Sequence, residues 1–194
     1  MFDRNGFAGA TLEDVSRAAG VTKGAFYFHF ASKDDLGGAI QAAACAMLRD
    51  AVCRVGPTRP VVQTLVNLTH ELAGWLEHEP VVRASFRTAR ECGHRGALFL
   101  GFYSEWLATV DSLLATAGRA GELRDGVGVD QATTLVMTVS AGVEMLWWSG
   151  IRKGSIRESL SGMWQLALPG IVSPNKLSDI DPNGLVPSSN PAKC

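Results

Sequence analysis

Residues 6–36 read GFAGATLEDVSRAAGVTKGAFYFHFASKDDL, and the spacing of their caps, glycines and aromatics decides the fold. Thr11 followed by Asp14 has the form of a capping box and predicts a short helix over 11–19. Gly20 is placed to leave that helix in the left-handed region that glycine enters without a steric penalty. Thr22 is a good cap for a second short helix over about 22–28. Two short helices joined by a tight glycine turn form a helix-turn-helix, whose second helix lies in the DNA major groove. Val15, Ala19, Val21 and Phe26 are the expected internal contacts of the pair. Five consecutive residues, Phe26-Tyr27-Phe28-His29-Phe30, cannot share one helix face. Phe26 and Phe30, four apart, take the inward face, so Tyr27 and His29 point elsewhere.

Helical signals continue outward from this motif, and no segment alternates like a strand. A long helix starts at Lys33 and ends before Gly56-Pro57-Thr58-Arg59-Pro60. Further helices are predicted over 61–78, 80–91, 97–119, 130–149 and 155–168. The fold class is therefore all-α, with a DNA-binding unit over 1–45 and a larger helical unit over 46–172. The Pro-, Ser- and Asn-rich segment 173–194 reads as a tail without fixed structure. The segment TTLVMTVSAGVEMLWW, residues 133–148, is apolar nearly all round and needs cover on every side, part of it from a second subunit. Its Glu144 fits a subunit interface, a ligand acceptor or a partly exposed charge equally well.

Composition narrows the chemistry. Hydrophobic residues make up 46% of the 194-residue chain and charged residues 19%, a globular balance. The net charge of −1 places any basic footprint locally. Cys45, Cys53, Cys92 and Cys194 have no metal-finger spacing and read as reduced thiols. With no basic-then-apolar leader and no apolar run of about 18–20 residues, the expectation is a soluble cytoplasmic chain without a membrane partner. Cys92-Gly93-His94 lacks a third group and an oxyanion motif, and Val127-Gly128-Val129 fits no phosphate-binding pattern. No catalytic residue, metal or cofactor is expected.

The stretch 6–36 resembles the DNA-binding signature of the tetracycline-repressor (TetR) family of bacterial regulators. Within that family, VTKGAFYFHFASKDDL is similar to the γ-butyrolactone autoregulator receptors of actinomycetes, as are EPVVRASFR (79–87), FYSEW (102–106) and MWQLALPGI (163–171). The resemblance implies a homodimeric repressor that leaves a palindromic double-stranded operator when a small lactone or furan binds. It also implies a helix ahead of Gly6, with Met1-Phe2 standing where that helix normally ends; most of it is thus expected to be absent.

DNA-facing candidates are Thr11, Thr22, Lys23, Gly24, Ala25, Tyr27, His29 and Lys33. Thr22 to Ala25 form the leading edge of the second helix, while Tyr27, His29 and Lys33 are placed to donate to phosphates. Over residues 1–35, Arg4, Arg17, Lys23 and Lys33 are outweighed by Asp3, Glu13, Asp14, Asp34 and Asp35, which weakens counterion-release binding. Among effector-lining candidates, Trp106 is the position the resemblance singles out as covering the ligand. Trp75, Phe86, Met137, Thr138 and Trp147 are further lining candidates, and Phe99, Phe102, Tyr103 and Val110 read as a packed helix face. Two alternatives stand beside the repressor. One is a ligand-binding homologue with impaired DNA binding that pairs with a longer relative; the other is an enzyme acting on a small lactone.

Overall fold

A computed structural model describes residues 2–56, 58–151 and 153–185, and among these it is helical with no strand beyond one isolated bridge, Leu123 to Val172. The helices are α1 Phe2–Gly9, α2 Leu12–Ala18, α3 Lys23–His29, α4 Lys33–Val55, α5 Val61–His78, α6 Pro80–Cys92, α7 Gly101–Arg119, α8 Val129–Trp148, α9 Ile156–Ile171 and α10 Pro174–Leu177. The expected helix over 97–119 begins only at Gly101. Ala97–Phe99 is instead a separate 3-10 turn, and Gly93–Arg95 is another. The expected helix over 155–168 runs on to Ile171, carrying Pro169 in its last turn.

Packing divides the chain into two compact units, Met1–Leu48 with His78–Glu105, and Arg49–Glu77 with Trp106–Cys194. The first has an aromatic core. Phe2, Phe7, Phe26, Leu36, Ala84, Cys92 and Phe99 are buried together, with Leu12, Val15, Phe30 and Ile40 against them. Phe7 stacks on Phe2 at 5.4 Å and meets Phe99 edge-on at 5.5 Å. Ala19 and Val21, expected inside, are exposed.

Gly6 breaks α1 with φ 76°, and a Cβ there would run into the Glu91 carboxylate. That carboxylate, from α6, accepts hydrogen bonds from the Phe7 and Ala8 N–H groups at 2.7 and 3.1 Å and from Arg87 at 2.9 Å. Burial pushes the Glu91 carboxyl up, but Arg87 and the two amides outweigh it and hold it below the usual range.

Helix α4 starts with a reciprocal cap, in which Ser32 and Asp35 each accept the other's backbone N–H at 3.0 Å. By length and composition alone α4 could cross a membrane, one 18-residue window of it having a mean hydropathy of 1.2. Its partners are those of a protein interior. Buried Gln41 donates to the Ser85 carbonyl at 2.8 Å and accepts from the Phe102 N–H at 3.1 Å, and Leu36, Ala44 and Leu48 are buried.

In the second unit α5 is the central helix, with Val62–His70 and Leu72–Leu76 buried. Its N-terminal amides need an acceptor, because Pro60 has no capping side chain. The buried Glu122 carboxylate supplies one, accepting from the Val61 and Val62 N–H groups at 2.9 and 3.1 Å. Trp164, fully enclosed, donates its indole N–H to Thr69 at 2.8 Å. Cys45 and Cys92 are free and buried, whereas Cys53 is disulfide-bonded, which departs from the reduced-thiol expectation.

The segment 173–185 is ordered, against the expectation of a loose tail; 186–194 lie outside the described residues. Buried polar side chains on α5 supply the partners that composition does not reveal. The Gln63 amide accepts from the Asp181 N–H at 2.6 Å and donates to its carbonyl at 3.2 Å. Asn67 accepts from the Leu185 N–H at 2.8 Å, and the His70 ring bonds the Pro182 carbonyl at 2.9 Å. Ile180 is buried beside them in sequence.

Candidate functional site

The helix-turn-helix forms as its caps predict. The Thr11 hydroxyl accepts from the Asp14 N–H at 3.1 Å while the Asp14 carboxylate takes the Thr11 N–H, a complete capping box. Hydrogen bonding from Thr11 lowers the Asp14 carboxyl pKa. Gly20 closes the turn at φ 69°, and the Val21 N–H returns to the Ser16 carbonyl at 3.1 Å. The Thr22 hydroxyl accepts from the Ala25 N–H at 3.2 Å, which leaves its own hydrogen to give.

On α3 the inward pair is as expected: Phe26 is buried and lies 5.3 Å from Phe30. Thr22, Lys23, Gly24, Ala25, Tyr27 and His29 are all exposed, so the structure brings these six candidates onto one short element at the surface. Thr11 is also exposed, with its hydroxyl bonded to Asp14. The cations of this surface are engaged within the chain. Lys23 pairs with Glu13 of α2, Arg17 with Asp14 at 3.2 Å, and Lys33 donates to the Ala8 carbonyl at 3.3 Å above the Phe7 ring. The Lys23 contact lowers the Glu13 carboxyl pKa, and Glu13 in turn raises that of Lys23.

The remaining candidates fall in several places. Trp106 is buried at 2% exposure, and its indole N–H has no hydrogen-bond partner. Trp75 is buried in the same unit, whereas Phe86 belongs to the other, where it packs on Phe102 at 5.2 Å and Tyr103 at 5.0 Å. Met137 is half-buried and Thr138 exposed. Trp147 lines a groove of about 640 Å³ between α8 and α9, shared with Leu135, Val143, Leu146, Met163 and Leu166, and away from Trp75, Trp106 and Thr138. Glu144 is buried, which removes the reading of a partly exposed charge.

With this geometry in view, known proteins give a consistent comparison. The pattern of the bacterial regulatory proteins of the tetR family matches residues 1–40. A solved γ-butyrolactone receptor, an ArpA-like protein, is 30% identical with a TM-score of 0.75, covering 92% of this chain and 85% of that one. The chain belongs to the TetR family. Another TetR-family protein, CprB from Streptomyces coelicolor, solved in complex with its biological operator sequence, is 30% identical with a TM-score of 0.71 over 92% of this chain and 86% of that one. The A-factor receptor protein of Streptomyces griseus is 26% identical over 189 residues, 96% of this chain. The chain spans 65% of that receptor's length.

Sequence reasoning missed several residues of this TetR-family chain that hold its parts in place. Glu91, Glu122, Gln41 and the row Gln63, Asn67 and His70 each satisfy backbone groups far away in sequence. Their one sequence signal is a polar side chain on an otherwise apolar helix face, which does not say what it bonds. Phe28 was also passed over, although its ring is 86% exposed.

Proposed function

We propose that this chain is a DNA-binding transcriptional regulator, acting in the cytoplasm as a repressor that a small signalling molecule such as a γ-butyrolactone releases from a palindromic operator. The observation that carries this reading is the capped, glycine-closed α2–α3 pair with six candidate DNA-facing residues exposed together, in a chain 30% identical to a relative solved on its operator. Residues 1–45 are the reading domain and 46–172 the effector and dimerisation domain. The apolar side chains that α8 and α9 leave exposed support pairing of those helices with their copies in a second chain. Two α3 helices then meet successive major grooves.

Release follows from linkage. An effector that lowers operator affinity tenfold must bind the released conformer better by about 1.4 kcal/mol. Trp106 is the residue proposed to contact it. A buried donor left unpaired is unfavourable by about 1–3 kcal/mol, and a lactone carbonyl offers the missing acceptor. Trp75, buried in the same unit, is the accompanying candidate; Phe86 lies in the other unit, Thr138 is exposed, and Trp147 lines the α8–α9 groove away from Trp106. The test is a gel-shift titration on a palindromic duplex with and without a γ-butyrolactone, repeated with Trp106→Phe. This variant keeps an aromatic ring and removes the N–H. Operator binding is expected to persist and the release midpoint to rise about tenfold, the equivalent of about 1.4 kcal/mol. Unchanged release removes Trp106 from the site, and the absence of any shifted duplex removes the function.

A second reading draws on the engagement of Lys23, Arg17 and Lys33 within the chain. In it the chain binds effector and pairs with a homologue that supplies the DNA grip. Operator binding by this chain alone separates the two.

A further inference from the structure

The most exposed aromatic side chain of the first unit is Phe28, at 86%. It lies two residues from buried Phe26, about 200° around the axis of α3, so it projects from the side opposite the core. Gly24 stands one turn earlier on the same line, with no other atom within 4 Å of where its Cβ would be. The outer line of α3 is thus a bare backbone step followed by a large ring. The ring meets His29 edge-on at 5.4 Å, interplanar angle 86°.

An exposed phenylalanine is not by itself informative. Its neighbours make this one so. On α3, which ends at His29, the positions three and four residues before it are Ala25 and Gly24, and the exposed Tyr27 beside it carries a polar hydroxyl, so no large purely apolar side chain of the helix extends the ring into a patch of the size a protein partner needs. The ring therefore suits a small apolar target. In the major groove that target is the thymine 5-methyl group. Electrostatics point the same way, because Lys23 and Arg17 are held in ion pairs, and a face with few disengaged cations gains less from counterion release.

We infer that Phe28 is a specificity-determining residue that reads thymine through apolar contact with its 5-methyl group. This inference rests on the reading of the chain as a DNA-binding regulator. It requires each half-site to carry a thymine where the ring lands, and it makes affinity depend on that methyl more than on any single phosphate contact.

The experiment uses the full chain and a duplex that it selects from a random-sequence pool. Each thymine is then replaced by deoxyuridine, which removes the methyl and nothing else. At one symmetry-related pair of thymines the wild type is expected to weaken about fourfold per half-site, the effect of losing one buried methyl. Phe28→Ala is expected to bind the thymine and deoxyuridine duplexes equally at that pair, and Phe28→Leu to retain part of the difference. Circular dichroism checks that the variants stay folded. A substitution profile unchanged by Phe28→Ala overturns this inference alone. Failure of the wild type to select any duplex overturns the DNA-binding reading, and this inference with it.

Discussion

Both α3 and the α8–α9 pair leave large apolar side chains in water, but they do so in opposite patterns. On α3 the ring of Phe28 has small residues one turn before it and, beside it, the less exposed Tyr27 with its polar hydroxyl. On α8 and α9, Leu135, Leu146, Trp147, Met163 and Leu166 line one continuous groove, with Leu166 86% exposed and Met145 62% exposed on the same helices. The Phe28 ring matches a single methyl. A continuous apolar face matches another face of its own kind, because the hydrophobic free energy of association scales with the contiguous area removed from water.

The largest expected effect tests that contrast directly. Leu166→Glu places a charge in the middle of the α8–α9 groove. If a second copy covers the groove, the charge is buried without a partner, which is unfavourable by roughly 3–5 kcal/mol. Self-association measured by sedimentation velocity then weakens at least a hundredfold, and operator affinity falls with it, while helical content stays constant. A surface leucine that faces only water tolerates the same change within about 0.5 kcal/mol. An unaltered association constant would therefore erase the distinction between the two faces.

A smaller effect is expected inside the first unit, where charge-assisted contacts fasten an aromatic core. Glu91→Ala leaves the Phe7 and Ala8 N–H groups and Arg87 without the carboxylate they share. Each orphaned group is unfavourable by about 1–3 kcal/mol where it is buried, and these are partly exposed, so a total near 2 kcal/mol is expected. For a chain of this size that is a fall of about 4–8 °C in Tm. The contribution also has a pH signature. Because the Glu91 carboxyl pKa is depressed in the folded chain, its stabilisation is present above the ordinary value of 4.5 and is lost as pH falls below it. Wild type should lose more stability than Glu91→Gln between pH 5.5 and 3.5, as followed by thermal melts. Parallel curves would show that the clamp carries no net energy.

How much of this was readable beforehand follows from the range of each interaction. Thr11 with Asp14, Gly20 and Thr22 act within three residues, so the helix-turn-helix was visible in one short stretch. The inward pairing of Phe26 with Phe30 was visible for the same reason. Ala19 and Val21 were assigned inward because they are apolar, yet apolar character does not say which neighbour is present to cover a side chain. The segment 173–185 was misjudged on composition, since its order comes from Gln63, Asn67 and His70 more than a hundred residues away. Trp106 was singled out by the resemblance, but its unpaired N–H depends on surroundings that a short motif does not specify.

That C-terminal segment supplies a third term for the comparison, a polar row whose partner is already in place. The His70 ring donates to the Pro182 carbonyl and packs against Gly184, with Arg157 and Asp181 as the charged groups acting on it. Burial lowers the ring's pKa most strongly; the Pro182 bond and Asp181 oppose this, Arg157 adds to it, and the balance is a lowered value. Its sign is opposite to that of a histidine gaining an anionic partner. The docked ring favours the neutral form, so its stabilisation is intact above the ordinary 6.5 and is lost as pH falls below it. His70→Gln keeps a donor for Pro182 and cannot titrate. Between pH 7.5 and 5.5 the wild-type Tm should fall further than that of the variant, by a few degrees at most. The limit is set by linkage, at about 1.4 kcal/mol for each unit of pH below 6.5. Equal slopes would mean that the row on α5 holds the segment without regard to its charge, and that this face, unlike the other two, is closed under all the conditions compared.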